Sequence, residues 1–137
     1  MWITHEADYA IRVVYCLVEA DAKLSSKEIA EQAGITLWFA LKILRKLIMA
    51  NIVKSYKGSA GGYELNRPAS EISLGEVVEC IDGPILITHC LSKEFDCSRV
   101  ENKSDCTFRK VFLSVNRTIR QELYDVKMNR FIQECDD

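Results

Sequence analysis

The sequence predicts a mainly α-helical fold with a small β-hairpin wing, in which a winged helix-turn-helix is followed by a long C-terminal helix. Three observations predict this fold class. Apolar side chains recur at helical spacing in several segments. Two of these segments are joined by the three-residue turn Gly34-Ile35-Thr36, which is typical of a helix-turn-helix. Two short strand-like runs follow directly, as expected for a wing.

Capping residues delimit the first three helices. Thr4 is placed to cap a helix over residues 5–20. Ser25 and Glu28 form a capping-box sequence, so a second, short helix begins there, and Gly34 ends it. Thr36 caps a third helix that runs to about residue 50.

The wing is predicted directly after the third helix. Strand-like runs at residues 52–56 and 63–66 flank a flexible, glycine-rich tip at residues 57–62. Pro68 ends this hairpin, because proline has no backbone N–H to continue a ladder.

The second half of the chain contains a helix, an irregular segment and a longer helix. Ser73 and Glu76 form a second capping box, which opens a helix ending near residue 82. The next segment lacks clear periodicity, and a connection of this length is usually functional or disordered. A long amphipathic helix is predicted from Thr107 onward. We therefore divide the chain into a winged helix-turn-helix at residues 1–83, a cysteine-bearing loop at 84–106 and a C-terminal helix at 107–137.

The composition indicates an ordinary soluble globular chain of 137 residues, with 48% hydrophobic and 28% charged residues. No apolar run approaches the roughly 20 residues of a membrane span, and the N-terminus lacks the apolar core of a signal peptide. We therefore expect a cytoplasmic protein without a membrane partner. In a reducing cytosol the six cysteines indicate metal binding, redox chemistry or burial rather than disulfides.

Positive charge is concentrated in the third helix and the wing, although the whole chain carries a formal net charge of −2. Between residues 36 and 68 six basic residues stand against a single acid, Glu64. A local basic surface of this kind is what phosphate contacts with double-stranded DNA require. The six residues are Lys42, Arg45, Lys46, Lys54, Lys57 and Arg67.

One face of the third helix is expected to enter the major groove of DNA. Trp38, Lys42, Arg45 and Met49 share this face, and of the adjacent Trp38 and Phe39 we expect one to pack inward while the other stays exposed. The residues expected to face inward are Leu37, Ala40, Leu41, Leu44, Leu47 and Ile48. The candidate DNA-contacting residues are Ser26, Thr36, Trp38, Phe39, Lys42, Arg45, Lys46, Lys57, Ser59 and Gly61.

Three cysteines lie in or at the end of the irregular segment, with C-x6-C-x8-C spacing: Cys90, Cys97 and Cys106. Thiolates in such a loop suit an iron–sulfur cluster, and the C-x2-C spacing favoured by structural zinc sites is absent. Three thiolates leave one position for another ligand, and the candidates are Asp8, His5, His89, Asp105 and Glu101. Among the other cysteines, we expect Cys16 and Cys80 to be small buried hydrophobes and Cys135 to be incidental.

This ordered set of motifs resembles the Rrf-type iron–sulfur transcription regulators, which include IscR-like and NsrR-like repressors. The resemblance covers nearly the whole chain, and its most specific parts are the Gly61-Gly62-Tyr63 wing and the three cysteines. Further matching runs are Thr4-x-x-x-Asp8-Tyr9-Ala10-Ile11-Arg12, Ile29-Ala30-Glu31, Lys46-Leu47, Ile72-x-Leu74-x-Glu76-Val77-Val78 and Asp82-Gly83.

The resemblance implies a homodimer built on the long C-terminal helix, which binds a palindromic operator and carries a 2Fe–2S or 4Fe–4S cluster near the dimer interface. In some members a histidine after the third cysteine is a ligand, but Arg109 stands at that place here. Asp8 matches an acidic residue that other members donate from the partner subunit, so Asp8 and a 4Fe–4S cluster are favoured, with His5 and His89 behind. The residues expected at the dimer interface are Phe112, Val115, Ile119, Leu123 and Val126.

The expected function is a transcription regulator that senses iron–sulfur status, redox state or nitric oxide, and two other functions compete with it. The first is a winged-helix regulator without a cluster, which senses through free thiols or a small molecule. The second is an iron–sulfur redox carrier that does not bind DNA. Enzymatic activity is not expected, because the sequence holds no nucleophile–base–orienter set and no phosphate-cradling loop. Leu41 stands where some family members carry an acidic base-reading side chain, so no operator sequence is implied.

Overall fold

The computed structural model describes residues 2–133, and within them it has the predicted fold class, mainly helical with a two-stranded antiparallel hairpin. Cys135 lies outside the described residues. In this part of the chain no helix is both long and apolar enough to cross a bilayer. The elements are α1 (His5–Ala20), α2 (Ser26–Ala33), α3 (Leu37–Met49), β1 (Val53–Tyr56), β2 (Gly62–Leu65), α4 (Leu74–Asp82), α5 (Thr107–Asp125) and α6 (Arg130–Gln133).

The predicted caps begin the first four helices. The hydroxyl of Thr4 accepts a hydrogen bond from the Ala7 backbone N–H at 3.1 Å, and Thr4 also contacts the Asp82 carboxylate at the end of α4. Thr36 caps α3 by accepting from the Phe39 N–H at 3.2 Å. Both capping boxes, Ser25 with Glu28 and Ser73 with Glu76, are complete. Each such cap stabilises its helix by about 1 kcal/mol because it satisfies an otherwise unpaired N–H.

The core lies around α1, which packs against α2, α3 and α4. Its inward face carries small and branched apolar side chains at helical spacing, so the neighbouring helices approach closely. Burial of a Val or Leu side chain of this kind contributes about 1.5–3 kcal/mol. The buried residues of α1 are Ala7, Ala10, Val13, Val14, Cys16, Leu17 and Val18.

The wing pairs β1 with β2 in antiparallel register, with Val53 opposite Leu65 and Tyr56 opposite Gly62. Two backbone hydrogen bonds between Leu24 and Tyr63 join the α1–α2 connection to the edge of β2 that does not face β1. A Cβ atom at Gly61 would collide with the Tyr56 carbonyl oxygen, so the tip requires glycine for close backbone approach.

The C-terminal part differs from the single long helix that the sequence predicted. The helix α5 ends at Asp125, and the chain then returns to the winged helix-turn-helix. The carbonyl of Val126 accepts from the Leu74 N–H at 2.8 Å, and the Met128 N–H donates to the Ile72 carbonyl at 2.9 Å. The Met128 side chain is completely buried in the core. Val126, predicted to lie on the dimer helix, is therefore in extended backbone beyond its end.

Candidate functional site

The turn from Gly34 to Thr36 presents α3 with one face buried and the other in solvent. Trp38 is 65% exposed, whereas Phe39 is half-buried and packs its edge against Tyr9, with ring centroids 5.7 Å apart. One aromatic therefore packs and its neighbour stays exposed, as predicted. Phe39 also supports the indole of Trp38 in an edge contact at 5.0 Å.

Two residues of α3 were assigned to the wrong face. Leu37 is 48% exposed and Leu41 is 40% exposed, although the sequence pattern predicted both to face inward. These two leucines lie at the edge of the buried stripe, whose width is set by the helices that pack against α3 rather than by helical periodicity. The fully buried residues of α3 are Ala40, Ile43, Leu44 and Leu47.

The basic side chains of α3 differ in how they are held. The carboxylate of Glu6 on α1 contacts the ammonium groups of Lys42 at 3.4 Å and Lys46 at 2.8 Å. The hydrogen bond from Lys46 lowers the pKa of Glu6, and the effect of burial opposes it. Arg45 is exposed and forms no ion pair with any residue that the structure describes.

On the wing, the tip residues Lys57 and Ser59 are exposed, and Lys57 has no ionic partner among residues 2–133. Lys54 pairs with Glu64 at 3.4 Å. The ammonium group of Lys23 holds the tip from the α1–α2 connection, since it donates to the Ala60 carbonyl at 3.2 Å and lies 4.5 Å from the Tyr56 ring centre.

Two further residues of the predicted DNA-binding surface form contacts within the fold instead. Arg67, counted with the basic surface, is bound to Glu76 of α4 and donates to the Glu71 carbonyl at 2.8 Å. The hydroxyl of Thr36 is already used as the cap of α3. Ser26 is the first residue of α2 and is half-buried.

The three predicted cysteines line one cavity of about 330 Å³. All three are free thiols and half-buried. The cavity lies between the irregular segment and the beginning of α5, and Phe108 and Phe112 of α5 line it on that side. Its other lining residues are Thr88, His89, Phe95, Asp96, Ser98, Arg99, Val100, Lys103, Phe108, Arg109 and Phe112.

Hydrogen bonds and positive charge surround these thiols. The Sγ atom of Cys97 accepts from the Arg99 backbone N–H at 3.4 Å, and backbone donors from Arg99 and Val100 lower the pKa of this thiol. The guanidinium of Arg109 donates to the Cys90 carbonyl at 3.4 Å. Cationic groups and N–H donors favour a thiolate over a thiol.

The candidates for the fourth ligand differ in their position relative to the cysteine cavity. His89 lines the cavity, and so does Asp96, a carboxylate that is not among the ligands predicted from the sequence. Asp8 lies on α1, where it pairs with Arg12 at 2.9 Å, and it does not line the cavity of its own chain. Within residues 2–133 no three His, Cys, Asp or Glu side chains converge closely enough to hold a single metal ion.

Asn116 of α5 fixes the segment that leads into this cavity. Its buried carboxamide accepts from the Ile87 N–H at 2.8 Å and donates to the Ile85 carbonyl at 2.9 Å. No sequence pattern considered above predicts a role for Asn116. The sequence does place this amide beside the apolar face of a helix. An amide there can give both a hydrogen-bond donor and an acceptor to a neighbouring chain segment.

Glu79 of α4 holds the same segment from the other side. Its carboxylate accepts from the Ile85 N–H at 2.8 Å, from Arg120 at 2.9 Å and from the Tyr124 hydroxyl. Burial alone would raise the pKa of Glu79, but hydrogen bonds from Arg120, Tyr124 and Ile85 outweigh it, so the pKa lies below its usual value. The start of the cysteine segment is thus bound to both α4 and α5.

Replacing Asn116 by alanine is expected to lower the free energy of unfolding by about 1–3 kcal/mol, because the buried Ile85 carbonyl and the partly buried Ile87 N–H lose their partner. Urea unfolding followed by circular dichroism measures this change. The control is Gln121→Ala, which removes an exposed amide from the same helix. Equal stability of the two variants would contradict the assigned role.

The face of α5 next to the cavity exposes large apolar side chains. Four of them, Phe108, Val111, Phe112 and Val115, are exposed, and Ile119 and Leu123 are half-buried. A contiguous apolar surface of this kind on one helix is typical of a protein interface. Phe108 and Phe112 belong both to this face and to the lining of the cysteine cavity.

Comparison with known proteins gives one consistent family. The model of the Rrf2 family, described as an iron-dependent transcriptional regulator, matches residues 3–134. The protein aau3 of Rhizobium meliloti is 35% identical over 104 residues, which cover 74% of this chain and 68% of that protein. The rrf2-like HTH-type transcriptional regulator of Rhodobacter capsulatus is 33% identical over 120 residues, covering 82% and 80%. Against two HTH-type regulators of Mycobacterium tuberculosis the match spans only 54% of their length.

Solved structures agree in fold. CymR, the global cysteine regulator of B. subtilis, superposes with a TM-score of 0.77 at 18% identity, covering 98% of both chains. IscR of T. potens superposes with a TM-score of 0.75 at 21% identity, covering 98% of this chain and 88% of that one. At these identities the likeness concerns the fold.

Proposed function

This chain belongs to the Rrf2 family of DNA-binding transcription regulators, which is not a family of enzymes, and on that basis we propose that it acts as a homodimeric, cluster-dependent regulator at a palindromic operator. The cluster is an iron–sulfur cluster held by Cys90, Cys97 and Cys106, with Asp8 of the partner subunit as fourth ligand. The observation that carries the proposal is the single cavity that all three cysteines line.

The residues around the cavity fit a cluster chemically. A 4Fe–4S cluster binds each thiolate at a different iron atom, so the three sulfur atoms do not have to converge on one point. Thiolate ligation leaves a cluster negatively charged, and Arg99, Lys103 and Arg109 line the same cavity. When bound, the cluster supplies a centre that reacts with oxidants or nitric oxide.

Asp8 can leave its ion pair with Arg12 and bind the cluster at little energetic cost. Its ion pair with Arg12 lies at the surface, with both side chains about half exposed (49% and 48%), and such a pair contributes only about 0–1 kcal/mol. Release of Asp8 from Arg12 is therefore inexpensive. The apolar face of α5 supports a dimer in which α1 of one subunit lies near the cavity of the other, because that face adjoins the cavity.

A path of contacts leads from the cavity to the DNA-binding elements. Ile85 precedes the cysteines and is bound to Glu79 on α4. The next residue of α4, Cys80, donates its thiol to the Lys46 carbonyl of α3 at 3.4 Å. Displacement of the cysteine segment would thus move α4 against the recognition helix. A coupling of about 1–3 kcal/mol changes operator affinity about 5–150-fold.

The proposal is tested on protein expressed and purified without oxygen, by its absorption spectrum and by iron and sulfide analysis. We expect a brown protein with about four irons per subunit, as for a 4Fe–4S cluster. About two irons would indicate a 2Fe–2S cluster and favour His89 over Asp8. A colourless protein without iron or sulfide, even after reconstitution, would contradict the cluster.

The second candidate function is sensing through free thiols or a small molecule, without a cluster. It is supported by the half-buried Cys97 thiol, whose Sγ atom accepts a hydrogen bond from the Arg99 N–H, because such a donor favours the reactive thiolate. The cavity of about 330 Å³ is also of a size that binds small molecules, which occupy sites of roughly 300–1,000 Å³. The colourless outcome above would support this function and leave DNA binding unchanged.

A further inference from the structure

The first half of the recognition helix α3 exposes an apolar edge, formed by Leu37, Trp38 and Leu41, in the middle of a basic surface. Their exposed fractions are 48%, 65% and 40%. Large apolar side chains that lie together in solvent usually mark a contact surface. This one is bordered by Lys42 and Arg45, so the charges beside it suit a polyanion.

Apart from its cations, α3 has little capacity to read bases by hydrogen bonds. Residues 37–49 contain no Asn, Gln, Ser, Thr, Asp or Glu. The Thr36 hydroxyl is used by the cap, and the ammonium groups of Lys42 and Lys46 contact Glu6. Arg45 is the one cation of this helix without an ionic partner among residues 2–133.

The Trp38 indole is also fixed before any contact is made. Phe39 supports it at 5.0 Å, Phe39 itself packs on Tyr9, and the Lys42 ammonium lies 5.5 Å from its ring centre. A side chain that is already ordered loses little conformational entropy on binding. The Trp38 part of the apolar edge is therefore held in place by neighbouring side chains.

We propose that this apolar edge recognises the C5-methyl groups of thymines in the major groove, and that Arg45 recognises a neighbouring guanine. The thymine methyl is the apolar group on the major-groove edge of the base pairs, and arginine binds the O6 and N7 atoms of guanine with two hydrogen bonds. The N-terminal residues of a recognition helix are those that meet base edges. The inference rests on the proposed operator binding and specifies which bases each half-site contains.

The test removes methyl groups from DNA and nothing else. Preferred sites are selected from a random duplex library with the full-length protein, and each selected thymine is then replaced by uracil in both half-sites. Loss of one buried methyl group weakens binding about fourfold, which corresponds to about 0.8 kcal/mol. Symmetric replacement in two half-sites is therefore expected to weaken binding about fifteenfold at the positions opposite the apolar edge.

Protein variants assign the effect to the edge. In Trp38→Ala and Leu41→Ala, whose folding is checked by circular dichroism, the penalty for uracil should largely disappear. Lys57→Ala is the control, because loss of a wing cation should weaken binding to thymine and uracil duplexes equally.

Three outcomes would overturn the inference, and they are distinguishable. Sequence-specific binding with a uracil penalty below about 1.5-fold at every position would refute thymine recognition and leave the regulator function intact. If the apolar edge instead forms a protein contact, Trp38→Ala would change the molecular mass of the assembly in solution. Failure to select any sequence would refute operator binding, and the inference with it.

Discussion

A Cys90→Ala protein is expected to fold, to dimerise and to contain no stoichiometric iron or sulfide. Cys90 lines the cavity with Cys97 and Cys106, and two remaining thiolates are too few for the proposed ligand set. Because Cys90 is half-buried in the irregular segment rather than in the core, its replacement leaves the fold intact. Metal analysis after anaerobic purification measures the loss, and operator affinity should change by about 5–150-fold relative to the cluster-bound protein.

The matched control is Cys16→Ala, which removes a thiol from α1, away from the cavity. This variant should be somewhat less stable because Cys16 is buried, but it should retain the iron content of the unaltered protein per folded subunit. Full iron and sulfide in Cys90→Ala, with an unaltered absorption spectrum, would show that Cys90 is not a ligand.

The second large effect concerns stability. Met128→Ala is expected to lower the free energy of unfolding by about 2–5 kcal/mol, because the side chain is 0% exposed and its removal leaves a cavity among packed core residues. Chemical denaturation with a constant m-value measures the change. Met49→Ala is the same chemical change at a residue that is 79% exposed, and it should alter stability by less than about 0.5 kcal/mol. Similar losses in both variants would mean that residues after α5 do not complete the core.

The features that the sequence predicted well are encoded locally. Thr4, Ser25, Thr36 and Ser73 each cap the helix that follows, and a cap depends on residues only three positions apart. The wing was predicted to within one residue at its strand ends for the same reason, since a glycine-rich tip between two alternating runs is a local signal.

The features that were missed depend on residues far apart in the chain. The return of the chain after α5 rests on backbone hydrogen bonds between residues 126–128 and 72–74, which side-chain patterns do not reveal. Asn116 likewise acts on a segment about 30 residues away (|i−j| of 29 and 31). The exposure of Leu37 and Leu41 could not be predicted from helical periodicity, because the width of a buried stripe is set by the neighbouring helices.

For the candidate site, the sequence alone indicated the three cysteines and the basic third helix. The structure shows which other side chains surround the cysteines. The spacing of Cys90, Cys97 and Cys106 predicted a shared site, and the three residues do line one cavity. The aromatic and cationic lining of that cavity comes from α5 as well as from the irregular segment. The ligand role of Asp8 stays a prediction.

The docking of residues 126–128 beside α4 also has a consequence for biosynthesis. A ribosome adds residues one after another from the N-terminus, so every other buried residue of the core cluster is made before Met128 appears. Until then the nascent domain has a hole where this side chain belongs and two unpaired backbone groups near Ser73. The cysteine segment is therefore synthesised on a domain that has not yet closed, and a chain interrupted within α5 would remain a substrate for cellular proteases.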